Sequence, residues 1–151
     1  MSTILVPTRG GEDSYPNQDR AIKIAQERGA DILFLYVTNV KFLNRTAAAV
    51  VVDVAKELDE MGEFLLTMAK ERAAKAGVEA ATVVQRGEFS EVLEQVIENN
   101  EVDALVLGSS VEDSGHTTLV YLEELSAKLA TKFDIEVFLV NKGETVSTHK
   151  P

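Results

Sequence analysis

A chain of 151 residues, 45% hydrophobic and 26% charged, falls in the range of one globular domain long enough to bury a core. Its formal charge of −10 repels a phosphate backbone, and no Lys/Arg-rich stripe offsets this, so nucleic-acid binding is excluded. The absence of cysteine, with only His116 and His149 as histidines, excludes disulfides, thiolate zinc sites and cysteine nucleophiles.

Thr3-Ile4-Leu5-Val6-Pro7 is an apolar run closed by proline, then by Arg9-Gly10-Gly11, and predicts a buried strand entering a loop. Nothing here resembles a secretory leader, and no later run is long enough to span a membrane, so a cytoplasmic protein without membrane contact is expected. Ala21, Ile24, Ala25 and Arg28 recur at helical spacing within residues 18–28, and Gly29 stands where a helix ends.

Ile32 to Val37 is apolar without alternation, as in a parallel strand covered on both faces. Val54, Leu58, Met61, Leu65 and Met68 repeat at intervals of four, three, four and three, which predicts a long amphipathic helix stopped by Gly77. The carboxylates Glu57, Asp59, Glu60 and Glu63 fall on its polar face.

Ala81–Val84 predicts a third strand, and Phe89, Val92, Leu93, Val96 and Ile97 form one helical stripe before Asn99-Asn100. Ala104–Leu107 is the fourth strand and ends at Gly108-Ser109-Ser110. A polar loop over residues 111–115 leads to a helix carrying Leu119, Leu122, Leu125 and Leu129, and Val137–Val140 is the fifth strand. Residues 1–141 are expected to form one domain and residues 142–151 a flexible tail. Strands alternating with helices predict an α/β, Rossmann-like fold: an open, doubly wound, five-stranded parallel sheet with helices on both faces.

Ligands of such sheets bind beyond the C-terminal strand ends, here in the loops after Pro7, Val37 and Leu107. Gly10-Gly11 reads either as a close approach to a ligand or as a plain flexible loop. Gly108-Ser109-Ser110 with Ser114-Gly115-His116-Thr117-Thr118 places hydroxyls and amides at a helix start suited to an anion, although Thr117 reads equally as an N-cap. His116 is either a ligand contact or a solvated loop residue. Arg9 is placed to pair with an anion or with Glu12 or Asp13 of its own loop.

The dinucleotide fingerprint and the P-loop are both missing, and no glycine-flanked nucleophile or Ser-His-Asp order is legible. These absences argue against an enzyme. A nucleotide hydrolase is the less favoured alternative.

Ile4-Leu5-Val6-Pro7-Thr8, Leu35-Tyr36-Val37-Thr38, Gly87-Glu88-Phe89-Ser90-Glu91-Val92 and Asp103-Ala104-Leu105-Val106-Leu107-Gly108-Ser109 follow one another in this order. On these segments the chain resembles the universal stress protein family over residues 2–140. The resemblance implies a strand order of 3-2-1-4-5, a stress-response role and a homodimer built on the last strand, Val137–Val140. An exposed apolar edge there would independently favour such pairing.

ATP-binding members of that family carry an Asp two positions after the strand-one proline and a late Gly-x2-Gly-x9-Gly-Ser/Thr motif. Arg9 stands at the Asp position and Val111 where the second glycine belongs. Glu123-Glu124 or Leu125-Ser126 falls where Gly-Ser should be, and Gly115 replaces the second glycine only if the loop is longer by about four residues. Thr8 and Val37 match at the adenine and ribose end, and Gly108 with Ser109 at the phosphate end. Glu112 and Asp113 near the phosphate path oppose a triphosphate. The cofactor expectation is thus a nucleotide such as ATP or AMP, or another small anion, bound weakly. The alternative is a dimeric interaction protein that binds none.

Overall fold

The computed structural model describes residues 2–38, 48–109 and 119–151, with the backbone alone for 48–53. Strands β1 (Thr3–Pro7), β2 (Asp31–Thr38), β3 (Ala80–Arg86), β4 (Ala104–Gly108), β5 (Glu136–Asn141) and β6 (Glu144–His149) form one sheet in the order β3-β2-β1-β4-β5-β6. The first five are parallel along the sheet, as expected, and β6 adds an antiparallel edge.

Helices α1 (Tyr15–Arg28), α2 (Ala48–Lys75), α3 (Phe89–Asn99) and α4 (Leu119–Phe133) connect the parallel strands. A short 3-10 turn, Glu12–Ser14, precedes α1, and Pro16 sits in its first turn, where a missing N–H costs nothing. Gly29 ends α1 with φ 62° and donates to the carbonyls of Ala25 and Gln26. Gly77, at φ 76°, follows α2 in the same way.

Side-chain alternation divides the core. Ile4, Val6, Ile32, Phe34, Ala104 and Val106 point to α1 and α2, while Leu5, Leu35, Leu105, Leu107, Val137 and Leu139 point to α3 and α4. Both faces of the central strands are buried, which explains their unbroken apolar sequence.

The packed face of α2 differs from the expected stripe. Ala55, Gly62, Leu66, Ala69 and Ala73 are buried, whereas Met61 is 53% exposed. Gly62 lies against the Tyr36 ring, where a Cβ would come within 2.6 Å of Cδ1. Small residues let α2 approach the sheet, and the larger ones are turned to the flank. On α4, Leu122, Leu125 and Leu129 are buried as expected, but Leu119 is exposed.

The expected flexible tail is corrected by β6, which pairs along β5 through a tight turn with Lys142 at φ 53° and Gly143 at φ 82°. Positive φ at both central residues matches the right-handed twist of a two-residue hairpin. The fifth strand is therefore not the outer one, and the apolar edge at Val137–Val140 is already paired within the chain. Among the described residues no helix is long and apolar enough to cross a membrane.

Candidate functional site

The ends of β1, β2 and β4 meet at one rim of the sheet. The Thr8 N–H donates to the Leu35 carbonyl at 2.9 Å, tying the end of β1 to β2. Its hydroxyl oxygen accepts from the Gly10 N–H at 3.1 Å and from Gln18 Nε2 at 3.0 Å. Gln18 comes from the first turn of α1 and is 1% exposed. With both lone pairs of Thr8 Oγ1 engaged, the hydroxyl hydrogen remains to be donated outward. Gln18 Oε1, and Thr38 Oγ1 at the end of β2, are buried without a hydrogen-bond partner among the described residues.

Arg9 is exposed beside Thr8, and no carboxylate among the described residues pairs with it, Glu12 and Asp13 included. Gly10 is needed for a reason the sequence leaves open: it has φ 79°, and a Cβ there would stand 2.4 Å from Leu65 Cβ. The close approach is thus made by α2, not by a ligand. Pro7 closes β1 opposite Leu35, and Val37, half-buried near the end of β2, packs toward the α3–α4 layer.

At the end of β4 the donors are turned inward. The Ser109 N–H donates to the Val140 carbonyl at 2.9 Å, and its buried hydroxyl lies 3.4 Å from the same oxygen. The expectation of an unpaired amide here is therefore corrected for Ser109. A Cβ on Gly108 would come within 2.8 Å of Asn17 Nδ2, so this glycine makes room for a side chain of α1. Asn17 Nδ2 donates to the Ser109 carbonyl at 3.1 Å, and Asn17 Oδ1 accepts from the Gly143 N–H at 3.0 Å. Arg20 Nε donates to the Gly143 carbonyl at 2.9 Å.

Ser110, Glu112, Asp113, Gly115, His116 and Thr117 lie outside the described residues. Ser126, the residue that would close a lengthened glycine motif, is fully buried in the middle of α4. The structure thus brings together Thr8, Arg9 and Gly10, with Gly108 and Ser109 linked to them across α1 by Asn17 and Gln18. Both linking residues open the helical segment and give no signal in a periodicity reading, because their role depends on what α1 meets.

A second polar cluster lies at the β6 edge of the sheet. The Ser147 hydroxyl donates to Glu123 Oε1 at 2.8 Å, and His149 Nε2 lies 2.8 Å from Glu123 Oε2. The same Nε2 is 3.4 Å from Ser147 Oγ. A nucleophile relay needs its acid on one ring nitrogen and its serine on the other. Here the carboxylate takes the nitrogen the serine would use, so the trio anchors β6 to α4. On α2, Asp59 does not stay solvated: it accepts from Arg86 Nε at 2.9 Å and Nη2 at 2.6 Å.

The sequence model of the "Universal stress protein family" matches residues 1–141. The universal stress protein MJ0531 of Methanocaldococcus jannaschii is 28% identical over 108 residues, 71% of this chain and 64% of that protein's length. Among solved structures, universal stress protein UspA of Lactobacillus plantarum superposes with a TM-score of 0.70 at 18% identity, covering 92% of this chain and 97% of that one. A universal stress protein family member of Arabidopsis thaliana with AMP bound superposes with a TM-score of 0.59 at 16% identity, covering 93% of this chain and 92% of that one. The family match over nearly the whole folded region, on a sheet of the same parallel order, places this chain in the universal stress protein family.

Proposed function

We propose that this chain is a cytoplasmic stress-response module whose rim takes up a mononucleotide or another small phosphate anion weakly, and that binding is read out through its conformation. The observation that carries the reading is the pair at the end of β1: a Thr8 hydroxyl made a donor by its two internal bonds, beside an Arg9 with no carboxylate partner among the described residues. In a chain of net charge −10, a guanidinium with no carboxylate partner among the described residues, a few residues from Glu12 and Asp13, is suited to contact an exogenous anion. The AMP held by the Arabidopsis relative supports a nucleotide as that anion.

Arg9 cannot accept a hydrogen bond from an adenine amine, so base recognition contributes little and binding is expected near millimolar, about −4 kcal/mol. Amide chemical shifts followed during AMP, ATP and phosphate titrations test this. Movement centred on Thr8, Arg9 and Gly10, lost in Arg9→Gln, supports the reading; micromolar ATP affinity, or no movement at tens of millimolar, sinks it.

A second reading, an interaction module that takes no nucleotide, is favoured by Asn17. Its amide fills the space beside Gly108, and the Ser109 amide is already satisfied. Native mass spectrometry separates the two, since a co-purified nucleotide is expected only for the first.

A further inference from the structure

The two ends of the sheet are finished differently. At one end β6 is mostly polar, and its register with β5 breaks between Leu139 and Val140, a bulge that spoils an edge as a template. At the other end β3 pairs with β2 without a break from Ala80 to Arg86, contains no proline and carries no charge before Arg86. Its side chains do nothing to turn another strand away.

The inner side of β3 is identified by its ladder. The Glu79 carbonyl accepts from the Ile32 N–H at 2.9 Å and the Gly87 N–H donates to the Thr38 carbonyl at 3.0 Å, so the odd-numbered residues bond to β2. Backbone groups alternate along a strand, and the N–H and C=O of Ala80, Thr82, Val84 and Arg86 therefore point away from the sheet. Among the described residues no hydrogen bond reaches them.

We propose that this edge pairs with the β3 edge of a second copy of the chain, antiparallel about a two-fold axis at Val83, so that two six-stranded sheets become one. The hydrogen bonds choose the axis. It sets Thr82 opposite Val84 and Ala80 opposite Arg86, so every outward N–H and C=O of the strand meets one of the other copy, whereas an axis at Thr82 or Val84 leaves Arg86 or Ala80 outside the ladder. Val83, half-buried on the face of α3 and α4, then meets its own counterpart in a non-hydrogen-bonded pair, where the Cα atoms come within about 4.5 Å. No like charges are opposed.

Helix α2 fits the same axis. It packs on both β2 and β3, so with strands about 4.8 Å apart the two α2 helices come to about 10 Å, an ordinary packing distance. Its flank beside β3 carries Asp59, which binds Arg86, and Glu63 one turn on, while exposed Lys70 lines a cleft with Ala74 and Ala80 at the start of the strand. Antiparallel pairing brings Lys70 of each copy toward Glu63 and the Asp59–Arg86 pair of the other. Each chain has one β3 edge, and a β6 ends the joined sheet on both sides, so the assembly closes at two copies.

Sedimentation equilibrium on the full chain, with amide hydrogen exchange along β3, tests the proposal. The mass should rise to two chains while exchange slows at Thr82 and Val84; Ala81 and Val83, bonded to β2, should be protected at every concentration. A mass of one chain up to about 1 mM, two chains with Thr82 and Val84 exchanging freely, or slow exchange at those amides in a single chain overturns it. Thr82→Pro removes an outward N–H and leaves the ladder to β2 whole, so association should weaken at least about tenfold. If that variant does not fold, Thr82→Lys places a charge on an exposed residue opposite Val84 of the other copy and should weaken association likewise, with Ala81 and Val83 still protected. Association unchanged in a folded variant overturns the proposal.

Discussion

β1 and β6 are short strands of nearly equal length in one sheet, and they stay in place for opposite reasons. Ile4, Leu5 and Val6 are buried on both faces of β1, so its position is set by the hydrophobic effect and reinforced by ladders to β2 and β4. β6 buries almost nothing apolar and pairs on one side only, so its position depends on a tight turn and a few oriented hydrogen bonds. Removing part of β1 should unfold the molecule, whereas removing part of the β6 anchorage should open one edge.

The strongest way to break that contrast is Leu5→Ala. Leu5 has no exposure and packs in the α3–α4 layer, so the cavity is expected to cost about 2–5 kcal/mol of global stability. Urea unfolding should show a lower midpoint with an unchanged slope, and a change confined to one region would contradict the role given to β1.

Asn17→Ala sharpens the contrast at the other end. It leaves the Ser109 carbonyl and the Gly143 N–H without their partner, but both bonds are part-buried, so water can take the amide's place and the cost is expected to be about 1 kcal/mol. Exchange should quicken at Gly143, Glu144 and Thr145 while the thermal midpoint moves little. A global loss as large as that of Leu5→Ala would erase the distinction between the two regions.

The smallest effect is expected from the ion pair of Glu94 on α3 with Lys132 on α4. The hydrogen bond from Lys132 holds the Glu94 carboxyl below its ordinary range against a smaller opposing effect of burial. The bond to Glu94 raises Lys132. A lowered carboxyl contributes above its unfolded value and loses that contribution as pH falls through the lowered one; a raised lysine contributes below its unfolded value and loses it as pH rises through the raised one. The difference between the unmodified chain and Glu94→Gln should be flat around neutrality, shrink on acidification through the carboxylate range, and diminish with added salt. A difference that grows on acidification would show that the pair does not act this way.

The alternation of strands and helices, the two-sided burial of β1, β2 and β4, and the ends of α1 and α2 at Gly29 and Gly77 follow from the sequence alone. A strand covered on both faces has to be continuously apolar, and a helix leaving through a left-handed residue favours glycine. The family resemblance rests on these same strand ends, and Thr8, Arg9 and Gly10 directly follow the first of them, which puts them at the rim.

The rest was decided by neighbours far away in the chain. Gly62 inside α2 looks unfavourable for a helix by about 1 kcal/mol, and only the Tyr36 ring packed on it explains its presence. Gly10 and Gly108 look like ligand glycines, but Leu65 and Asn17 fill the space they leave. Asn17 and Gln18 look like ordinary helix-start polar residues until α1 brings them against β4 and Thr8. In Lys142-Gly143-Glu144-Thr145-Val146-Ser147-Thr148-His149 the β-branched residues and the glycine hint at a hairpin, but a polar strand carries no burial signal. Hydrophobic pattern is local and readable along the chain, whereas a hydrogen-bond partner or a ring against a missing Cβ exists only once the chain has folded.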